Sequence, residues 1–278
     1  MRLTGLTLRE RLTRGMPPRV PEPMVMDEED AVAAFDIVHP LLQLPVYRIS
    51  AEATSRLLPD GGTLLDLGSG TGQLLAHLAA ARPDLRAIGT DLAETMLDRG
   101  RAVLAEAGLS ARVELRLADM TALPDDLPSA PDAISCVWAL HHLPTREDLV
   151  KCLSEIARIR DGSGCAVWIL DFARLRNART PEALLDLAPD APGRLREDGV
   201  ASLRAAWSVE ELREAASEAG LRDLGGGPQR PLGQLQVLWA AGREDRPSGH
   251  KTRWHPEPLT GTSRRLSQLI STGLPSPS

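Results

Sequence analysis

The stretch "TLLDLGSGTGQLL", from Thr63 to Leu75, sets Asp66 and Ser69 among glycines at 68, 70 and 72, just where a buried run of leucines stops. Glycines at a strand-to-helix turn leave backbone N–H groups free at the helix N-terminus and let a ligand touch the main chain. Further acids close later apolar runs: Asp91 in "AIGTD", Asp119 in "RLADM" and Asp171 in "AVWILDF". A carboxylate can accept both donors of a ribose diol, or an amino group, in strong charge-assisted bonds. The adjacent pair His141 and His142 in "WALHHLP" titrates near neutrality and could act as a base or hold a substrate.

These residues need elements to bring them together. From Thr63 the chain alternates short apolar runs with helical segments. "TLLDLG", "RAIGTD", "RVELRLAD", "DAISCVWAL" and "GCAVWILDF" read as strands. The segments between them read as helices; one closes on Gly108, and another opens with the capping pattern Thr145-x-x-Asp148. Five strands separated by helices indicate a doubly wound α/β fold, a mostly parallel sheet with helices on both faces. Right-handed crossovers then bring the carboxyl ends of all five strands to one edge, where the glycines, the acids and the histidines fall. Later in the chain, "SVEELREAASEAG" is a helix with a Ser208–Glu211 capping box, and "LQVLWAA" is a last strand.

Several ligands fit a glycine turn. The spacing here is G-x-G-x-G, not the G-x-G-x-x-G of dinucleotide binders, and no G-x-x-x-x-G-K-[ST] phosphate loop is present. Taken singly, Asp91 could cap the helix that follows it and Asp119 could be a turn residue. Together with Asp66 in one register they resemble the first motifs of the class I, Rossmann-like, S-adenosylmethionine-dependent methyltransferases. That resemblance covers roughly residues 50–240 and is weak between Phe172 and Trp207. It implies a seven-stranded sheet with S-adenosylmethionine as cofactor and S-adenosylhomocysteine as product. In the family's pattern Asp66, Gly68, Ser69, Gly70 and Gly72 take the amino-acid end, Asp91 and Leu92 the ribose, and Asp119 and Met120 the adenine. The segment after the fourth strand is where the family presents substrate-facing groups. His141 or His142 would then be a base, or a residue that caps the next segment or lines the cofactor pocket.

The remaining candidates carry competing readings. Trp138 walls the pocket or packs in the core; Asp171 orients a substrate or pairs with Arg174. His39 and Tyr47 lie in an N-terminal arm, residues 1–50, which by the resemblance would lid the site; each is equally read as a packing residue. The domain proper is expected over 51–242, with an inserted cap at 173–207 rich in arginine and proline, and a disordered tail over 243–278. The three cysteines are read as buried reduced thiols. No Cys/His cluster has metal-ligand spacing, and neighbouring histidines on a regular helix cannot face one ion, so no metal is expected.

The net charge of −6 gives no general attraction for phosphate, and "RLRNART" is the only arginine run that could supply it locally. The Asn-Pro-Pro-Tyr-like tetrapeptide of amino-methylating nucleic-acid enzymes is missing, as is the Pro-Cys of cytosine-5 methylators. The expected acceptor is an oxygen or nitrogen of a small molecule or peptide, by analogy in bacterial specialised metabolism. A nucleic-acid methyltransferase and a non-methylating cofactor binder are the alternatives. No apolar run is long enough for a membrane span, so a cytoplasmic location is expected, and a homodimer stays open.

Overall fold

The computed structural model describes residues 2–23, 43–127, 130–243, 259 and 261–275. Seven strands form one sheet in the order β3-β2-β1-β4-β5-β7-β6. They are β1 (Thr63–Leu67), β2 (Arg86–Asp91), β3 (Val113–Leu117), β4 (Ala133–Val137), β5 (Ala166–Phe172), β6 (Gly225–Pro228) and β7 (Leu235–Ala240). The first five pair in parallel, whereas β7 runs antiparallel to both β5 and β6. Chain order reverses between β1 and β4, and ligands of open α/β sheets sit outside the carboxyl ends of strands at that kind of switch point.

The strands are near-continuous apolar runs because both sheet faces are covered. Successive side chains point to opposite faces. Thus Leu64, Trp168, Leu170 and Val237 join one buried cluster, while Leu65, Val167, Ile169 and Leu238 join the other. The covering helices include α2 (Leu44–Leu57), α3 (Gln73–Ala81) and α4 (Glu94–Glu106). α5 (Arg146–Ser163) starts where Thr145 Oγ accepts the Asp148 N–H, and α8 (Val209–Glu218) carries the Ser208–Glu211 capping box.

Two segments flank this domain. The N-terminal arm holds α1 (Arg2–Leu12) and an extended stretch through Pro23. The insert after β5 holds α6 (Thr180–Leu185) and α7 (Gly193–Ala205). Glu10 of α1 is 6% exposed and accepts from the backbone N–H groups of Arg176 and Asn177, so arm and insert form one unit. Arg19 fixes the arm lower down. Its guanidinium donates to the carbonyls of His141, Leu143 and Pro144 at 2.7 Å and of Ala205 at 2.5 Å, and lies 3.8 Å over the Trp207 ring.

Two boundaries differ from the sequence expectation. A domain start at residue 51 cuts α2, which packs on α3 as a single helix from Leu44. The tail is not structureless over its whole length, since Gly261–Gly273 forms α9, packed on α2. Ile270 and Leu274 are buried there, each 7% exposed. The stripe Leu266, Ile270, Leu274 at four-residue intervals is the helical signal that the polar composition around it hides.

Candidate active site

The turn after β1 is shaped by its glycines. Gly68, Gly70 and Gly72 all have positive φ, at 69°, 52° and 70°, a region that side-chain-bearing residues avoid. A Cβ on Gly68 would strike the Ala139 Cβ, so here the space is taken. At Gly70 nothing lies within 4 Å of that position, and the backbone is open to a ligand. Gly72 is the N-cap of α3.

A cleft of about 100 Å³ opens over this turn. It is lined by Asp66, Gly68, Ser69, Gly70, Asp91, Leu92 and Met120 of the expected set, and by Tyr47, Trp138 and His142 on the opposite side. Asp91 Oδ2 accepts the Gly70 N–H at 2.7 Å and Oδ1 accepts the Ala93 N–H at 2.9 Å. Burial raises its carboxyl above the ordinary range, against those backbone bonds. Asp66 is 2% exposed and takes a 2.5 Å bond from Ser135 Oγ. Burial is the main reason its pKa rises to about 7, with the Ser135 bond opposing and the Asp91 charge adding. Gly72 and Asp119 are not among the lining residues: Asp119 Oδ1 accepts from both N–H and Oγ1 of Thr121 at 2.8 Å and closes the turn after β3.

The residues present fit a cofactor with an adenosine and an amino-acid end. Ser69 Oγ is buried without a partner among the described residues, Gly70 leaves an open cradle, and Asp66 and Asp91 offer carboxylates at successive strand ends.

A second, larger cavity of about 470 Å³ meets the first at Trp138 and His142, which line both. Trp138 is the one non-glycine residue with positive φ among the described residues, at 56°. That strain holds its ring against Phe172, stacked at 5.2 Å, with Tyr47 edge-on at 5.6 Å. Apolar side chains from α2, the insert and α9 form most of the larger wall.

At the junction lies a cluster the sequence only half revealed. Leu140–His142 is a turn of 3-10 helix after β4, and it holds the imidazole centroids of His141 and His142 4.3 Å apart. His141 is 2% exposed; its Nδ1 lies 2.6 Å from Asp171 Oδ1, and its backbone N–H donates to Asp171 Oδ2 at 2.9 Å. Glu22, from the arm, puts Oε1 3.2 Å from His141 Nε2 and 3.4 Å from His142 Nδ1. Burial alone would pull the His141 pKa down, but Asp171 and then Glu22 outweigh it and the net shift is upward. Burial and the neighbouring His141 push His142 down to about 3. Glu22 is itself raised, first by burial, with His141 opposing.

Several expectations change as a result. Asp171 does not pair with Arg174; it stands behind His141, while Arg174 binds Glu211 at 2.6 Å and lines neither cavity. The two histidines are not on a regular helix, and Glu22, His141 and His142 place ligand-type atoms within 4.8 Å of one another, a set the cysteine and histidine spacing could not reveal. His39 lies outside the described residues. Glu22 and Arg19 were missed because they sit in the proline-rich connector "GMPPRVPEP", which has no periodicity to mark a face.

Residues 64–164 match the family model described as a methyltransferase domain. A dimethylglycine N-methyltransferase of Parasynechococcus marenigrum is 31% identical over 51% of this chain and 45% of that protein. A ubiquinone/menaquinone biosynthesis C-methyltransferase of Pseudomonas fluorescens is 27% identical over 54% of this chain and 58% of that protein. The chain thus spans about half the length of these relatives. Among solved structures, an O-methyltransferase family protein from Burkholderia thailandensis superposes with a TM-score of 0.55 at 21% identity, over 77% of this chain and 60% of that one. A SAM dependent methyltransferase from Aquifex aeolicus gives 0.53 at 19%, over 75% and 96%. The methyltransferase-domain match takes in the glycine turn at the end of β1 and the carboxylates beside it, and this domain is similar to the class I S-adenosylmethionine-dependent methyltransferases, whose cofactor its residues fit.

Proposed function

We propose that this chain methylates an oxygen or nitrogen of a small apolar molecule held in the 470 Å³ cavity. The observation that carries this is the junction itself: one cavity of small-molecule size opens beside the cofactor cleft, with a buried Asp171–His141 pair at the meeting point. The cofactor supplies a methyl group on a sulfonium, ready for in-line displacement. Asp91 would hold its ribose, and Asp66 with the open backbone at Gly70 its amino-acid end. Trp138, Tyr47 and Phe172 exclude water from the junction, and much of the rate then comes from alignment in a dry pocket.

His141 is the group best suited to take the acceptor's proton. Its Nδ1 is committed to Asp171, which fixes the tautomer, so Nε2 exchanges the proton, next to Glu22 Oε1. His142, with a pKa near 3, stays neutral and is too weak a base; it orients the acceptor between the two cavities. Because the neutral imidazole is the working form and its pKa is raised, turnover should fall on the acid side along a limb centred above about 6.5.

A peptide acceptor is less well supported, because the cavity is bounded by the arm, the insert and α9. A nucleic-acid acceptor has less still, since Arg174 at the head of the arginine run is tied to Glu211. The test is transfer from labelled S-adenosylmethionine to extracted metabolites and to extracted RNA, with Asp91→Ala as the cofactor-binding control. Label in a small organic fraction, lost by His141→Ala and retained in His142→Gln, is the expected result. Label confined to RNA overturns the acceptor assignment, and equal turnover in His141→Ala overturns the base.

A further inference from the structure

The large cavity is apolar over most of its wall; besides the histidine pair, Gln43, Asp198, Ser202 and Arg265, its polar lining includes two amide side chains from the β6–β7 hairpin. Gln229 is 3% exposed, and Gln229 Oε1 and Gln234 Oε1 are both buried without a hydrogen-bond partner among the described residues while lining the cavity. The Gln229 amide is not free to turn over. Its Nε2 donates to the Arg230 carbonyl at 2.6 Å, and a flipped amide would set oxygen against oxygen. Its acceptor face is therefore fixed and unanswered. At the cofactor end, Trp138 Nε1 is likewise buried without a partner among the described residues, a donor rather than an acceptor.

A buried acceptor left unpaired is costly, and native structures keep few of them. Two on one hairpin, facing one cavity, need a ligand that brings donors. We infer that Gln229 and Gln234 form a hydrogen-bond-reading subsite that selects acceptor molecules carrying a second hydroxyl or amine distant from the methylated atom. This rests on the small-molecule reading above. The ligand class is a multi-ring or similarly rigid apolar body with a hydrogen-bond acceptor near Trp138 and a donor at the hairpin. A site built to bond a substrate hydroxyl rejects the analogue lacking it, because its own polar groups are then stranded. The hairpin thus sets specificity, while His141 sets reactivity.

The test measures binding of two fluorescent probes, anthracene-2,6-diol and 2-anthrol, to the full chain with and without S-adenosylhomocysteine. The wild type should bind the diol about tenfold more tightly or better. Gln234→Met should shrink that ratio toward one, leaving 2-anthrol and S-adenosylhomocysteine binding unchanged. Gln229→Met should do the same; since it also loses the Arg230 bond, Gln234→Met is the decisive variant if the other unfolds. Equal affinity for the two probes, no binding of the diol, or an unchanged ratio in Gln234→Met overturns the inference. Binding of S-adenosylhomocysteine is read separately by calorimetry, so failure of the methyltransferase reading and failure of the subsite are told apart.

Discussion

Asp66 is a carboxyl group almost sealed from water, with a pKa of about 7 and, among the described residues, only Ser135 to bond its side chain. Burial without a counter-charge produces that value, and an ammonium placed beside it would pull the value down. Binding of S-adenosylmethionine near pH 7 should therefore release a fraction of a proton. Calorimetry in two buffers of different ionisation enthalpy measures it; no difference between buffers would mean that the ammonium sits elsewhere. Much at this scale was legible. The glycines, Asp66 and Asp91 mark a ligand turn because their types and spacing have few other uses. Glu22 was not legible, since a lone acid between two prolines acquires meaning only when folding sets it beside His141. Asp171 was legible as a strand-end acid, but its partner was not, because the strand fixes where it ends and not which neighbour its carboxylate meets.

Among elements, the parallel strands were readable because burial on both faces demands unbroken apolar runs, and β2 runs from Arg86 to Asp91 as its pattern suggests. β6 was not readable. Its sequence is Gly-Gly-Gly-Pro, with no strand propensity of its own, and it exists through its pairing with β7. The β1–α3 turn separates two demands made on glycine. Gly68→Ala meets both a positive φ and the Ala139 Cβ and should destabilise by about 2–4 kcal/mol, lowering the melting temperature by several degrees. Gly70→Ala meets open space, so it should cost about 1–2 kcal/mol of fold stability yet weaken cofactor binding at least tenfold. Thermal melting and calorimetry on both variants check the contrast; a Gly70→Ala protein with normal affinity would show that the ligand does not approach that backbone.

At the scale of the whole molecule, the arm and the Rossmann-like domain meet at one buried charge cluster, Glu22, His141 and Asp171, and the insert reaches it through Ser202 Oγ, which donates to Glu22 Oε2 at 3.4 Å. The His141 pKa is raised by folding, so its contribution is fully present below the unfolded value of about 6.5 and is lost as pH rises through the higher folded value. Asp171→Asn removes the main cause of that rise. Denaturant unfolding should show it roughly 3 kcal/mol less stable than wild type at pH 6, with the gap narrowing by pH 9. A gap that widens with pH would mean that the cluster is not held by a protonated imidazole. Composition foretold none of this convergence; the resemblance implied an arm over the site without naming the atoms that tie it down.

Arg19 reaches the carbonyls of residues 141, 143, 144 and 205, which lie 122 to 186 positions further along the chain. At about 5–20 residues per second that separation is roughly 6–37 s of elongation, and over the first part of it none of these carbonyls exists for Arg19 to bind. The segment made first thus docks late, and its full set of carbonyl partners is complete only once α7 has been made. A nascent chain can build its nucleoside cleft long before it can close the acceptor side, so capacity to bind cofactor should precede capacity to turn over during biosynthesis.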